Sequence, residues 1–81
     1  MRADFYTNTH AFRRMEYTEV KELEVGDKVV IGIDMNHGIP KKMEFFNATI
    51  TKPMYAEWDT LVVETDKGLA DIYSIYEVKE L

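Results

Sequence analysis

The 81-residue sequence contains no cysteine, a single serine (Ser74) and two histidines (His10 and His37). The lack of cysteine excludes disulfide bonds, thiolate nucleophiles and thiolate metal ligands. Any serine–histidine–acid triad would have to use Ser74, whose neighbours are typical of a turn residue that bonds its own backbone. Asp34 and His37 share one loop, but two ligands do not make a metal site. The sequence therefore predicts no catalytic residues, no metal site and no cofactor, and we expect a protein that is not an enzyme.

Long hydrophobic runs are also absent. The longest apolar run covers residues 29–33 and includes a glycine, whereas a membrane helix needs about 20 apolar residues. Residues 1–5 contain one arginine with no apolar segment behind it, so we expect no secretory signal. These observations predict a protein without a membrane span, in the cytoplasm.

Positive charge is scarce, since the sequence has 10 lysines and arginines against 15 acidic residues, for a net charge of −5. The acidic side chains are concentrated in residues 16–34 and 59–81. Binding to a phosphate backbone needs a concentrated cationic surface, so this balance disfavours nucleic acid as a partner. The length fits one small domain, with no room for a deep substrate cleft.

From residue 26 onward, short β-branched or aromatic segments alternate with turn residues. They predict five strands, over residues 28–33, 43–52, 60–65, 69–73 and 77–81. Residues 34–42 have the composition of a loop, Pro53 ends the second strand or lies at a bulge, and residues 54–59 form a connection. Asp66-Lys67-Gly68 is typical of a tight hairpin with glycine in the left-handed region. Residues 74–76 fit a 3₁₀-like turn.

The N-terminal residues give weaker signals. Asn8 or Thr9 could cap a short helix over the following residues, with Ala11 and Phe12 on one side. Residues 17–22 look extended, and we expect them to cover an exposed edge of the sheet. The predicted organisation is an N-terminal extension, residues 1–22, that packs on a β-domain over residues 23–81.

The order of these elements resembles an SH3-like small β-barrel over about residues 24–81. Leu23-Glu24-Val25-Gly26-Asp27-Lys28-Val29 is similar to the entry strand of KOW-type and Tudor-type domains, and Thr65-Asp66-Lys67-Gly68 corresponds to their distal hairpin. The resemblance is one of pattern and points to no specific family. It implies an all-β barrel of about five strands that binds peptides, modified side chains, RNA or proteins. The loop over residues 34–42 lacks the aromatic run of true SH3 domains, which argues against Pro-rich ligands.

Aromatic side chains supply the candidate site, because they exceed what a small barrel core needs. Under a period of two, Val29, Ile31 and Ile33 share one face of the first predicted strand. The side chains predicted to fill the barrel are Phe46, Ile50, Leu61, Val63 and Ile72. The aromatic residues then left near the surface are Phe45, Tyr55, Trp58, Tyr73 and Tyr76. Tyrosine and tryptophan dominate interface hot spots, so the sequence predicts that these five residues bind another protein, one with a basic surface.

Two alternatives remain open at this point. A local basic strip beside an aromatic ring would suit single-stranded nucleic acid. Its candidate residues are Arg13, Arg14, Lys41, Lys42 and Lys52. A self-associating structural subunit is the other alternative, in which exposed strand edges pair between chains. The sequence leaves the oligomeric state undetermined.

Overall fold

The computed structural model describes residues 3–81 as one antiparallel sheet with two short helical segments. In chain order the elements are β1 (Phe5–Tyr6), β2 (His10–Arg14), α1 (Tyr17–Val20), β3 (Lys28–Asp34), β4 (Met43–Glu57), β5 (Thr60–Thr65), β6 (Gly68–Asp71), a 3₁₀ turn (Ile72–Ser74) and β7 (Ile75–Glu80). Across the sheet the strand order is β1-β2-β7-β3-β4-β5-β6. The predicted mainly β fold with one short helix is confirmed, and strands β3 to β7 are roughly consistent with a five-stranded barrel.

The main core lies on the inner face of strands β3 to β7 and beneath α1. Its fully buried members include Val20 of α1, Ile50 of β4, Val63 of β5 and Ile75 of β7. Ile50, Val63 and Ile72 are buried as predicted, and Leu61 is partly buried against them. Phe46 is 39% exposed, so the prediction that it fills the core is wrong. Strand β5 pairs with β4 only from Ile50 onward, so Phe46 lies on the part of β4 that has β3 alone beside it.

The outer face of β3 carries a second apolar cluster. Its buried members are Phe12, Val30 and Tyr76, and Phe5, Met43 and Phe45 pack against them. Phe12 and Phe45 are stacked, with ring centroids 3.9 Å apart and planes 8° from parallel. Gly32 belongs to this arrangement, because a Cβ atom there would lie 2.6 Å from Cε1 of Tyr76. Both faces of β3 are therefore covered.

The N-terminal residues differ from the expectations. The residues after Thr9 form β2 rather than a helix, because β2 lies between β1 and β7 and pairs with both. The segment that pairs with the β7 edge is thus β2, and not residues 17–22. Residues 17–20 form the four-residue helix α1, whose first turn is held by the Glu19 carboxylate accepting from the Glu16 amide at 2.9 Å. Throughout residues 3–81 every helix is too short to cross a membrane.

Two boundaries in the second half of the chain also differ. Strand β4 continues through Pro53 to Glu57 with irregular pairing near Lys52, so the bulge is confirmed and the predicted connection over residues 54–59 shrinks to a two-residue turn. The 3₁₀ turn begins at Ile72, earlier than predicted, because the Asp71 carboxylate accepts from the Tyr73 amide at 2.8 Å. Side-chain capping of this kind ends strand β6. The hairpin at Gly68, with a φ of 112°, forms where it was predicted.

Candidate functional site

The turn between β4 and β5 presents the most exposed large hydrophobic side chain of the described residues. Trp58 is 94% exposed and has a φ of 57°, in the left-handed region. A non-glycine residue costs about 1–2 kcal/mol in this conformation, and an exposed indole contributes no burial in return. Residues held in such conformations concentrate at functional sites. The fold thus maintains a tryptophan at a position where folding gains nothing from it.

Tyr55, three residues earlier in β4, is held by two charged neighbours. Its hydroxyl donates to the Glu57 carboxylate at 3.2 Å, and the Lys52 ammonium lies 4.2 Å from the ring centroid. Partial burial, and then the hydrogen bond to Glu57, raise the pKa of Tyr55 above its ordinary value. The ring is half-buried and fixed in orientation between a cation and an anion.

The outer face of β4, β5 and β6 is acidic and partly apolar. Side chains that share this face follow from the register, in which Tyr55 lies opposite Val62 and Val62 opposite Asp71. The same register adds five more side chains, so the β4–β6 face comprises Lys52, Tyr55, Glu57, Thr60, Val62, Glu64, Leu69 and Asp71, of which Val62 is buried. Leu69 is 54% exposed. This face therefore combines three carboxylates and one ammonium group with the exposed Leu69 side chain.

A hydrogen bond links the Trp58 turn to the 3₁₀ turn that carries Tyr73. The Thr60 hydroxyl, two residues after Trp58, donates to the Asp71 carboxylate at 3.1 Å. The other oxygen of Asp71 accepts from the Tyr73 amide. Tyr73 is 66% exposed. Trp58 and Tyr73 therefore lie on segments that are tied together at one edge of the β4–β6 face.

Two of the five predicted aromatic residues belong elsewhere. Tyr76 is only 6% exposed, so its expected place at the surface or rim is wrong, and burial raises its pKa. Phe45 is half-buried in the same outer cluster, with its ring centroid 5.3 Å from that of Tyr76. The aromatic residues Phe5 and Phe12 were the available signal for this cluster. The register of β2 on β7 was needed to place them there.

The candidate nucleic-acid residues are not brought together as one basic strip. Arg13 is bound by two carboxylates, with Nη2 at 2.6 Å from Glu19 and Nε at 2.7 Å from Glu77. These hydrogen bonds, those that Arg13 donates to Glu19 foremost, raise the pKa of Arg13 above its ordinary value. The same bonds are the main cause that lowers the pKa of Glu19 to about 2. Lys41 and Lys52 lie over different rings, those of Phe5 and Tyr55.

The remaining cations have separate surroundings too. Arg14 lies over Tyr73, with Cζ 5.9 Å from the ring centroid, and Lys42 is exposed in the loop after β3. The histidines do not form a ligand set, since the His10 ring pairs with the Thr9 hydroxyl at 2.7 Å. Within residues 3–81, no three histidine or acidic side chains are close enough to hold a metal ion.

A groove that the sequence did not predict lies between β2, α1 and the 3₁₀ turn. It has a volume of about 390 Å³, and its polar and aromatic walls include Asp4, Arg14, Glu16, Tyr17 and Tyr73. Tyr17 was missed because residues 17–22 were expected to form an edge strand. Its exposed position in α1 depends on Val20, which enters the core from the same short helix.

Three aromatic side chains (Tyr55, Trp58 and Tyr73) are available at or beside the acidic β4–β6 face, and Tyr73 also lines the groove. Comparisons of this chain with protein-family models, with curated proteins and with solved structures find no match.

Proposed function

We propose that this chain is a non-enzymatic protein-interaction module on an SH3-like barrel, and that it binds a partner through the β4–β6 face and Trp58. The observation that carries the proposal is the 94% exposure of Trp58 in a left-handed turn. Tryptophan is the residue type most enriched in interface hot spots. Trp58 is the anchor in this proposal, with Tyr55 and Tyr73 beside it.

The strand order supports the SH3-like part of the proposal. Strands β7, β3, β4, β5 and β6 are consecutive neighbours in the sheet, and a 3₁₀ turn precedes the last strand. This order agrees with the resemblance found in the sequence. A barrel fold by itself hosts many functions, so the function depends on the side chains at the surface.

The charge of the surface determines the class of partner. Glu57, Glu64 and Asp71 lie on the β4–β6 face, and the whole chain has a net charge of −5. A partner with a basic surface would associate faster and in a defined orientation, because complementary charge acts mainly on encounter and specificity. This charge supports the proposal that the partner is a protein with a basic patch. The absence of cysteine agrees with a reducing compartment such as the cytoplasm.

The rival functions have less support. Of the cations proposed for nucleic acid, Arg13 is paired with two carboxylates, three others lie over separate rings, and Lys42 is exposed in the loop after β3. Self-association through edges would use β1, with two residues, or β6, with four. Short edge strands are poor templates for pairing between chains. Neither alternative has an observation as specific as the exposed Trp58.

The test is affinity capture from a cell lysate with matched variants. The wild-type chain should retain a protein that the Trp58→Ala variant loses and the Tyr6→Ala variant keeps. Tyr6 is a suitable control because it is 62% exposed on β1, at the other edge of the sheet. Capture should weaken as salt rises, since charge steers the encounter. Equal capture by the wild-type and Trp58→Ala chains would contradict the proposal.

A further inference from the structure

The groove between β2, α1 and the 3₁₀ turn has the size of a site for one long side chain. Its volume of about 390 Å³ is near the lower end of ligand pockets, which run from about 300 to 1,000 Å³. Tyr17 and Tyr73 line it and are 53% and 66% exposed. Neither ring is part of either apolar cluster, so both remain available to a ligand.

Both tyrosine rings already carry a cation from this chain. The Arg14 guanidinium carbon is 5.9 Å from the centroid of Tyr73, and the Lys21 ammonium is 5.9 Å from that of Tyr17. A cation over an aromatic face is attracted by the ring quadrupole. The rings thus lie in a geometry that accepts positive charge within the free protein.

Both carboxylates and guanidinium groups line the groove. Asp4 and Glu16 contribute exposed carboxylates, and Asp4 is oriented because one of its oxygens accepts from the Arg14 amide at 2.7 Å. Arg13 adds little free positive charge, because two carboxylates bind it. Among the groups that the structure describes, the Arg14 guanidinium forms no ion pair, since residues 3–81 contain no carboxylate oxygen within 4.0 Å of it.

We propose that this groove binds an arginine side chain of the basic partner, an inference that rests on the proposed function. The incoming guanidinium stacks on Tyr73 or Tyr17 and donates to the carboxylates of Asp4 and Glu16. Arginine fits better than lysine, because its planar fork can stack on a ring and bond a carboxylate at once. Arg14 occupies the position of the ligand in the free chain and moves aside when the partner binds.

The experiment is an NMR titration of the ¹⁵N-labelled full chain with short blocked peptides. The peptides are Gly-Ser-Arg-Ser-Gly and its counterparts with lysine or glutamate in the centre. We expect the arginine peptide to shift the amide signals of Tyr17 and Tyr73 up to about 10 mM ligand, which covers millimolar affinities. The lysine peptide should bind more weakly, and the glutamate peptide should leave these signals unchanged.

Variants distinguish a cation site from an anion site. Arg14→Ala removes a competing cation, so the arginine peptide should bind about two- to fivefold tighter, the size of an exposed cation–π contact. Tyr73→Leu should weaken binding by a similar factor, and Tyr6→Leu should not change it. Arg14→Gln provides the same comparison if Arg14→Ala is poorly folded, as judged by the dispersion of its amide signals.

Either of two results would overturn the inference. One is the absence of any shift at the groove with the arginine peptide, and the other is binding of the glutamate peptide that is lost in Arg14→Ala. The proposed function is tested separately. If Trp58→Ala loses the captured protein while the groove binds no arginine peptide, the interaction module remains and only the arginine site is wrong.

Discussion

Replacing Trp58 should separate stability from binding. With a φ of 57°, Trp58 carries a cost of about 1–2 kcal/mol that glycine would not. Glycine loses about 0.5–1 kcal/mol more backbone entropy on folding. The indole is 94% exposed, so its removal costs almost no burial. Trp58→Gly should therefore stabilise the fold by about 0.5–1 kcal/mol, which for a domain of this size raises Tm by about 2–8 °C.

Trp58→Ala is the matched control, because alanine keeps the left-handed cost and lacks the indole. Its stability should stay within about 0.5 kcal/mol of the wild type, as for other exposed substitutions. Calorimetry or thermal circular dichroism gives Tm, and affinity capture gives binding. Both variants should lose the partner, while Trp58→Gly alone becomes more stable. A drop in Tm of both variants by several degrees would refute the reasoning, because it would mean that the indole packs in the folded state.

Three further predictions concern the fold. Gly32→Ala should destabilise it by about 1–3 kcal/mol, because the new Cβ would lie 2.6 Å from the Tyr76 ring; urea unfolding measures this, and adding Tyr76→Leu should recover part of the loss. The pKa of Glu19 is lowered from 4.5 to about 2, so its bond with Arg13 contributes stability above about pH 4.5 that is lost as the pH falls towards 2. The urea midpoint should therefore fall less between pH 5 and pH 2 in Glu19→Gln than in the wild type. Deleting residues 1–20 should lower Tm or cause aggregation, because it removes β2 from the β7 edge.

Each of these predictions has a contradicting result. Equal stability of Gly32→Ala and wild type would mean that the second apolar cluster, on the outer face of β3, is loosely packed. The same fall in urea midpoint between pH 5 and pH 2 in Glu19→Gln and wild type would mean that the ion pair contributes nothing measurable. An unchanged Tm after the deletion would make the N-terminal segment a free arm.

The local signals in the sequence predicted the central part of the fold. Asp66-Lys67-Gly68 specifies a hairpin through neighbouring residues alone, and Gly68 adopts the expected positive φ. The first predicted strand, over residues 28–33, agrees with β3 to within one residue, since β-branched side chains and a flanking glycine define it. Trp58 was among the five aromatic residues expected near the surface or at the rim, and it is 94% exposed, but the sequence left open whether such rings are exposed or cover the core.

The remaining features depend on residues distant in sequence. Phe12 forms a strand because β7 pairs with β2, and a hydrogen-bonded edge overrides the weak local preference for a helix. Tyr76 is buried by Phe5 and Phe45, which lie on strands far from it in the chain. The groove requires β2, α1 and the 3₁₀ turn to meet, so no single stretch of sequence could indicate it.

Pairing of β2 with β7 has a consequence for the synthesis of this chain. Phe12 lies opposite Val78, so β2 cannot complete its ladder until almost the last of these residues has left the ribosome. Contacts between such distant segments slow folding, because the chain loses the entropy of closing the long loop between them before the contacts form. A nascent or truncated chain that stops before residue 75 would display unpaired backbone on both β2 and β3. Such intermediates are prone to aggregate. The chain is therefore protected from aggregation through these edges only after β7 has paired with β2 and β3.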